Sequence, residues 1–181
     1  SSAGVVSTYS LIYTDSGVQK FRGGVLAPNG DIHFIPNSSA VGQKVSSSGI
    51  VSTYSLIYEV SNAYFGGVLA SNGDIHFVPH SAAVGQKISA SGVVSTYSLV
   101  YTTTQAYCGG VLTPNGDIYF IASEHSILQK LNSLGVVSTL SIIGNQYFKG
   151  GILLSNGDIC CIACASSFGQ NQKQIDSLKS L

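Results

Sequence analysis

Short runs of apolar residues, broken by Gly, Asn and Ser, cover almost the whole chain. One such stretch reads Gly23-Gly24-Val25-Leu26, then Pro28-Asn29-Gly30, then the mostly apolar segment from Asp31 to Pro36. An Asn-Gly pair between two apolar runs is a strong hairpin signal, because a type I′ turn needs positive φ at both central residues. No window before residue 170 sustains a 3.6-residue apolar period with helix caps. The pattern therefore predicts short antiparallel strands and an all-β fold.

This stretch recurs four times along the chain. The Gly-Gly pair begins at residues 23, 66, 109 and 150, and the Asn-Gly pair at residues 29, 72, 115 and 156. A Gln-Lys pair recurs every 43 residues from residue 43. Such a period is compatible with propeller blades, helical arrays or solenoid turns, and the strand-like composition favours blades.

Each unit contains four predicted strands, which we name A to D. In the first unit they cover Gly23–Ala27, Asp31–Pro36, Val41–Val45 and Ile50–Tyr58. Four short antiparallel strands in about 43 residues are typical of a β-propeller blade. Over essentially its whole length the chain resembles the β-propeller superfamily, which implies blades arranged radially around a central channel.

The four units are out of phase with the ends of the chain by one strand. The chain opens with a D strand over residues 4–13, the units then cover residues 14–58, 59–101, 102–144 and 145–175, and the last one lacks a D strand. We therefore predict one domain over residues 1–181, a closed four-bladed propeller in which the N-terminal strand completes the last blade. Closure removes exposed sheet edges. We expect a monomer, and the rival is an eight-bladed ring built from two chains.

Composition excludes several classes of partner. Charged residues make up 9% of the chain and the formal net charge is zero, so we expect no nucleic acid partner. The apolar runs are far shorter than the roughly 20 residues that a membrane helix needs, so we expect no membrane insertion. The sequence has no catalytic or cofactor-binding motif that we recognise, so we expect no cofactor and no bound metal, and we do not expect catalysis.

The units differ from one another mainly in two connections. In a propeller the D–A and B–C connections share one face, and here both vary in length and content, whereas the A–B turns barely change. Loops on a rigid scaffold often carry function, so the variable face is the candidate binding surface. Relaxed constraint on these loops explains the variation equally well.

The residue before each Gly-Gly pair is predicted to rim the channel on the variable face. These rim positions hold Arg22, Phe65, Cys108 and Lys149, and two cations there could attract a small anion, although solvated surface charges are the simpler interpretation. Further candidate ligand contacts are three tyrosines near the channel mouth and two loop histidines: Tyr64, Tyr107, Tyr147, His80 and His125.

Other repeated polar residues favour structural roles. An Asp follows each Asn-Gly turn and a Lys follows each repeated Gln, which suits ion pairing within a blade better than a metal-binding ring. His33 and His76 occupy equivalent B-strand positions and are more typical of strand or core residues than of metal ligands. Cys161 and Cys164 form a C-x-x-C spacing along a strand with no helix after it, so we interpret them as small strand residues.

The sequence thus leads to three functional hypotheses. The first is a non-enzymatic binding or scaffold propeller that presents its variable face to a small, anionic ligand or a protein surface. The alternative is a carbohydrate-binding, lectin-like propeller with one site per blade, and the third is a hydrolase. Fold alone cannot choose among them, because propellers host many activities.

Overall fold

In a computed structural model of the chain, the structure describes residues 4, 8–13, 19–142, 147–164 and 170–172. Every regular element in these ranges is a β-strand. In chain order they are β1 (Phe21–Leu26), β2 (Ile32–Pro36), β3 (Val41–Val45), β4 (Val51–Ser55), β5 (Tyr64–Leu69), β6 (Ile75–Pro79), β7 (Val84–Ile88), β8 (Val94–Ser98), β9 (Tyr107–Leu112), β10 (Ile118–Ala122), β11 (Ile127–Leu131), β12 (Val137–Ser141), β13 (Phe148–Leu153), β14 (Ile159–Ala163) and β15 (Gln170–Gln172).

These strands form four antiparallel sheets, one for each sequence repeat. Blades 1 to 3 are four-stranded meanders, β1 to β4, β5 to β8 and β9 to β12, and blade 4 contains β13 to β15 within the described residues. The all-β prediction is confirmed, as are the predicted hairpins around each Asn-Gly turn. Among the described residues, no helix is long and apolar enough to cross a membrane.

The D strands are shorter than the sequence predicts. The first was expected over residues 50–58, but β4 ends at Ser55. The chain leaves the sheet there because the backbone amides of Ile57 and Tyr58 bind a side chain of the next blade, as described below.

The predicted N-terminal strand is only partly within the described residues. Residues 8–13 belong to no strand, residues 5–7 lie outside the described ranges, and blade 4 shows no fourth strand in the part of the chain that is described. Residues 12 and 13 instead contact blade 1, as residues 57 and 58 contact blade 2. Pairing of this segment with the last blade stays a prediction.

The innermost strands of adjacent blades pack in the order β1, β5, β9, β13. The second glycine of the Gly-Gly pair makes this packing possible in blades 2 to 4. A Cβ atom on Gly67 would lie 2.7 Å from Cδ1 of Ile35, and one on Gly110 would lie 2.4 Å from Cγ2 of Val68. Both distances are shorter than any ordinary contact, so a side chain here would push neighbouring blades apart.

In blades 2 and 3 a buried glutamine in strand C ties the blade to the chain segment that arrives from the preceding D strand, and in blade 1 the equivalent glutamine binds residues 12 and 13. The Gln86 side chain is 0% exposed, and its Oε1 atom accepts hydrogen bonds from the amides of Ile57 and Tyr58, both at 2.9 Å. Gln129 binds the next crossing segment in the same way, and Gln43 binds the first. We call each such arrangement a glutamine clamp. It satisfies two backbone donors with one fully buried acceptor.

The repeated aspartates and lysines of blades 1 to 3 pair within their own blades, as expected, and Lys173 of blade 4 lies outside the described residues. Lys44 lies 2.7 Å from Asp31, Lys87 lies 2.6 Å from Asp74, and Lys130 lies 3.2 Å from Asp117. The hydrogen bond from Lys44 holds the pKa of Asp31 below its usual value. Burial alone would raise the pKa of Asp74, but the bond and charge of Lys87 outweigh it and the pKa is lowered. These ion pairs fasten strand C to the A–B hairpin.

Replacement of Gln86 by Ala tests the clamp. Two backbone amides in partly buried hydrogen bonds would lose a fully buried acceptor, and a donor left unsatisfied away from water costs about 1–3 kcal/mol. We expect the free energy of unfolding in urea to fall by about 2 kcal/mol or more. Gln19→Ala is the matched control, because Gln19 is exposed and should change stability little. Equal effects of the two substitutions would contradict the clamp.

Candidate functional site

The four rim residues line one cavity. Arg22, Phe65, Cys108 and Lys149 come from the innermost strands of all four blades and surround a space of about 410 Å³. Its wall is completed by two glycines and by polar residues of the variable connections, namely Gly23, Gly66, His80, Gln105 and Ser123. The sequence prediction that the residues before each Gly-Gly pair lie together therefore agrees with their placement.

A β-bulge places each rim residue at the cavity. In blade 2, Tyr64 is opposite Pro79 and Gly67 is opposite Phe77, so Phe65 and Gly66 together face a single residue of β6. The same register shift separates residues 21 and 24 in blade 1 and residues 148 and 151 in blade 4, and Cys108 is the unpaired residue in blade 3. A bulge bends its strand and redirects a side chain, which is how the rim residue escapes the blade interior.

Backbone hydrogen bonds between blades hold the variable face together. The amide of Ala63 donates to the carbonyl of Asn37 at 2.8 Å, and the amide of Ala106 donates to that of His80 at 2.7 Å. The amide of Phe148 reaches the carbonyl of Ser123 at 3.1 Å. Because each bond joins one blade to the next beside the bulge, the rim residues of neighbouring blades have a fixed separation.

Arg22, Phe65 and His80 form a three-layer stack on one side of the cavity. The rings of Phe65 and His80 are nearly parallel, with centroids 3.4 Å apart and an interplanar angle of 12°. The guanidinium carbon of Arg22 lies 3.7 Å from the Phe65 centroid. Two groups this close to one ring cannot share a face, so Phe65 lies between the cation and the imidazole. The stacking on His80 holds the Phe65 ring in place, and the cation–π contact with that ring holds the Arg22 side chain.

The cavity carries positive charge without a facing carboxylate. Arg22 and Lys149 line it, and no Asp or Glu is among its lining residues within the described part of the chain. Burial lowers the pKa of His80 to about 4, and the charges of Arg22 and Lys149 act in the same direction against one opposing backbone hydrogen bond. His80 is therefore neutral at physiological pH, and the net charge of the wall comes from the two long side chains.

Cys108 is a half-buried, protonated thiol rather than a reactive thiolate. Its Sγ atom donates to the carbonyl of Phe148 at 3.1 Å. Burial is the main cause that raises the pKa of this thiol to about 12. A thiol that stays protonated at neutral pH is a poor nucleophile and a poor metal ligand. The contact with Phe148 instead joins blade 3 to blade 4.

Four other predicted contact residues lie away from the cavity. Tyr64 and Tyr107 are 0% exposed and pack against Phe77 and Phe120, because the residue before the bulge faces the blade interior. These two rings belong to the core and offer no platform for a ligand. Tyr147 is 47% exposed beside the start of β13 and is not among the lining residues.

His125 also lies apart from the cavity, in blade 3. Its ring contacts the rings of Tyr101 and Tyr107, with centroids 4.7 and 5.5 Å away. Its Nδ1 atom accepts a hydrogen bond from the amide of Ile127 at 3.1 Å. Of the two predicted loop histidines, only His80 reaches the cavity.

Sequence reasoning missed two polar lining residues, Gln105 and Ser123. Gln105 has a φ of 57°, as does Asn62 at the equivalent position of the preceding blade, and this turn brings it to the cavity. Ser123 immediately follows β10, at the position that His80 occupies after β6. That equivalence, visible in the repeats, is the signal that could have identified it.

The described residues hold no group of three or more His, Cys, Asp or Glu placed to bind a metal ion. The four cysteines are free thiols. Cys161 is a buried residue of β14, as predicted, whereas Cys164 follows the end of that strand and is exposed.

The pKa of His80 predicts a pH effect on stability. The unfolded chain binds a proton at this residue near its usual pKa of 6.5, and the folded protein does so only near 4. The free energy of unfolding should therefore fall as the pH decreases from about 6.5 to about 4. Asn37 is the equivalent residue of blade 1, so His80→Asn is a conservative replacement. This variant should show a smaller decrease in the urea midpoint of unfolding between pH 7 and pH 4.5 than the unmodified protein does. An unchanged loss would contradict the buried, neutral state of His80.

Comparison with known proteins supports the fold. No protein-family model matches the chain, and no curated protein matches it. A virginiamycin B lyase structure from Staphylococcus aureus is similar to it with a TM-score of 0.69 and 18% identity, covering 80% of this chain and 49% of that one. An inactive variant of that lyase with quinupristin gives a TM-score of 0.70 at 16% identity, over 87% of this chain and 57% of that one.

A gluconolactonase-like protein is also similar, with a TM-score of 0.61, 14% identity, and coverage of 88% of this chain and 64% of that one. The chain spans about half the length of the lyase structures that it matches. At these identities the likeness is one of fold. Together with the four repeated antiparallel sheets, it establishes that the chain has the blade architecture of a β-propeller.

Proposed function

We propose that the protein is a binding module that holds a small anionic ligand in the cavity on its variable face. The observation that supports this proposal is the placement of Arg22 and Lys149 on one cavity wall, with no Asp or Glu among the lining residues that the structure describes. The ligand would present a carboxylate or phosphate group, because a guanidinium matches both with two parallel hydrogen bonds.

The stack on Phe65 supports a ligand-binding role for Arg22. A flexible arginine loses side-chain entropy when it binds an anion, and the stack removes part of that cost in advance. Among the described residues the arginine has one further contact, from Nη1 to Oε1 of the exposed Gln19 at 3.3 Å, and a guanidinium has further N–H donors for a ligand. Low-dielectric walls around the cavity would strengthen the attraction.

We also propose that four blades close into a ring within one chain. Two observations support closure. Arg22 of blade 1 and Lys149 of blade 4 line the same cavity, although β1 and β13 do not pack against each other as the other innermost strands do. The N-terminal segment lies on blade 1 with the geometry that follows a D strand, because Ile12 and Tyr13 donate to Gln43 at 3.1 and 2.9 Å.

An enzymatic role is the competing hypothesis, because the similar structures include lyases and a gluconolactonase-like protein. We favour binding without chemistry for two reasons. Cys108 is protonated, and the imidazole of His80 stacks face to face on Phe65. A stacked, buried histidine is poorly placed to move a proton to and from a ligand in the cavity.

Anion binding can be measured through the imidazole of His80. We expect inorganic phosphate or acetate to shift the His80 signals in ¹H–¹⁵N NMR spectra. Arg22→Ala should weaken the binding about ten- to a hundredfold, since a hydrogen bond to a charged group contributes about 1.5–3 kcal/mol. Arg22→Lys should recover only part of the loss, because it keeps the charge and removes the planar fork.

Lys20→Ala is the matched control. It removes one positive charge from a residue that does not line the cavity and lies 5.5 Å from the Tyr13 ring. The proposal fails if neither anion shifts His80, or if Lys20→Ala weakens binding as much as Arg22→Ala does.

A further inference from the structure

Two clefts on the opposite face of the molecule repeat with the blades. The first lies between blades 1 and 2 and has a volume of about 220 Å³, and the second lies between blades 2 and 3 and has a volume of about 280 Å³. Their lining residues correspond position by position with the 43-residue repeat. We call them the interblade clefts. They share no lining residue with the cavity on the variable face.

Each interblade cleft contains a histidine that the fold holds in one orientation. His33 is 5% exposed and its Nδ1 atom lies 3.4 Å from the Tyr54 hydroxyl, while His76 is 7% exposed and its Nδ1 atom lies 3.3 Å from the Tyr97 hydroxyl. The contact through Nδ1 leaves Nε2 as the ring nitrogen available to a ligand. A buried imidazole that lines a cleft with a free nitrogen is suited to recognition.

The tyrosine that orients the histidine depends on a glycine in strand C. Tyr97 lies directly opposite Gly85, and a Cβ atom on Gly85 would lie 2.2 Å from its ring. Gly42 and Tyr54 form the same pair in blade 1. The ring therefore lies flat across the glycine and presents its hydroxyl to the histidine. Core packing alone does not need this glycine, because blade 3 fills the equivalent pair with Leu128 and Leu140.

Blade 3 also replaces the histidine. Tyr119 occupies the position of His33 and His76, so histidine, glycine and tyrosine are all exchanged together in this blade. The three residues thus behave as one unit that is present in blades 1 and 2 and absent from blade 3. Joint replacement is expected of a group that acts together on something in the cleft.

The polar groups of each cleft carry little net charge. Lys44 lines the first cleft, but its ammonium is already paired with Asp31, and Lys87 in the second is paired with Asp74. Burial, followed by the nearby lysine, lowers the pKa of His76 to about 4, so this histidine is neutral at pH 7. Each cleft therefore offers neutral hydrogen-bonding groups and one ammonium with spare donors.

The remaining walls are small and partly apolar. In the first cleft Ile75 and Ala90 of blade 2 face the polar groups of blade 1, and in the second Ile118 and Leu134 of blade 3 face those of blade 2. One apolar wall opposite directional polar groups matches a molecule with an apolar face and a rim of hydroxyls. The volumes lie below the usual range for drug-sized ligands, about 300–1,000 Å³, which limits the ligand to a single sugar ring.

We propose that the two interblade clefts are equivalent binding sites for a neutral, ring-shaped polyol of monosaccharide size. In each site His33 or His76 would hydrogen-bond a ligand hydroxyl through Nε2, and Lys44 or Lys87 would donate to a second one. The exposed Ala90 in the first cleft and the exposed Leu134 in the second would cover the apolar face of the ring, because Ile75 and Ile118 are almost fully buried. The ligand is different from the anion of the variable face, and the site does not depend on that proposal.

The four histidines of the chain make the test site-specific. Two lie in the interblade clefts, His80 lines the cavity of the variable face, and His125 lies in neither. Their imidazole signals in ¹H–¹⁵N spectra would be assigned with single His→Ala variants. The probes are the methyl glycosides of glucose, galactose, mannose and N-acetylglucosamine, with linear sorbitol to distinguish a ring from an open polyol.

We expect at least one glycoside to shift the signals of His33 and His76 and to leave those of His80 and His125 unchanged. Sorbitol should shift none of the four. His33→Ala and His76→Ala should each remove one of two sites. Lys44→Met, which keeps the length of the aliphatic stem, should weaken the first site tenfold or more and leave the second unchanged. Its preserved second site would show that the variant is folded.

The proposal is overturned if no glycoside shifts either cleft histidine, or if sorbitol does so equally well. It is also overturned if a glycoside shifts only His80, because the ligand would then occupy the other cavity. Phosphate binding at His80 with silent clefts would support the proposed function alone, and glycoside binding with a silent His80 would support this inference alone.

Discussion

The acceptance of two backbone amides by one buried glutamine is the interaction on which the arrangement of the blades depends. Where the chain crosses from one blade to the next, it leaves a sheet and exposes donors that the following blade covers. Gln43, Gln86 and Gln129 each supply an acceptor at that crossing. A hydrophobic contact could hold two blades together at many angles, whereas two hydrogen bonds to one amide oxygen allow few. The clamp therefore sets the angle between blades, and the angle decides which residues meet at the axis.

The same scaffold presents two different chemical surfaces. On the variable face the bulge brings one residue per blade to a shared cavity, so four dissimilar residues build a single site. On the opposite face each cleft lies between two blades, so equivalent residues build repeated sites. The difference follows from geometry. Residues near the axis come from all blades and meet in one cavity, whereas residues farther from the axis lie between two blades and occur again at the next blade pair. A propeller with nearly identical blades can thus combine one asymmetric site with several equivalent ones.

Much of this fold could be predicted from the sequence, because the signals that specify it act between residues close together in the chain. The signals are the Gly-Gly pairs, the Asn-Gly turns and the short apolar runs, and each covers only a few residues. They predicted the hairpins and the rim position occupied by Arg22. The glutamine clamp could not be predicted, since a polar residue in an alternating strand normally faces solvent. The orientation of Tyr64 was missed because the bulge, not simple alternation, decides which neighbour faces the cavity. The stack of Arg22, Phe65 and His80 joins two blades, and no pattern within one blade contains it.

Amide hydrogen exchange tests the account most directly, because the same bond recurs at three crossings. If the N-terminal segment follows the last blade in a closed ring, the amides of Ile12 and Tyr13 should be protected as strongly as those of Ile57, Tyr58, Val100 and Tyr101. Exchange of Ile12 and Tyr13 at the rate of an unfolded chain, with the other four amides protected, would contradict closure by the N-terminal segment.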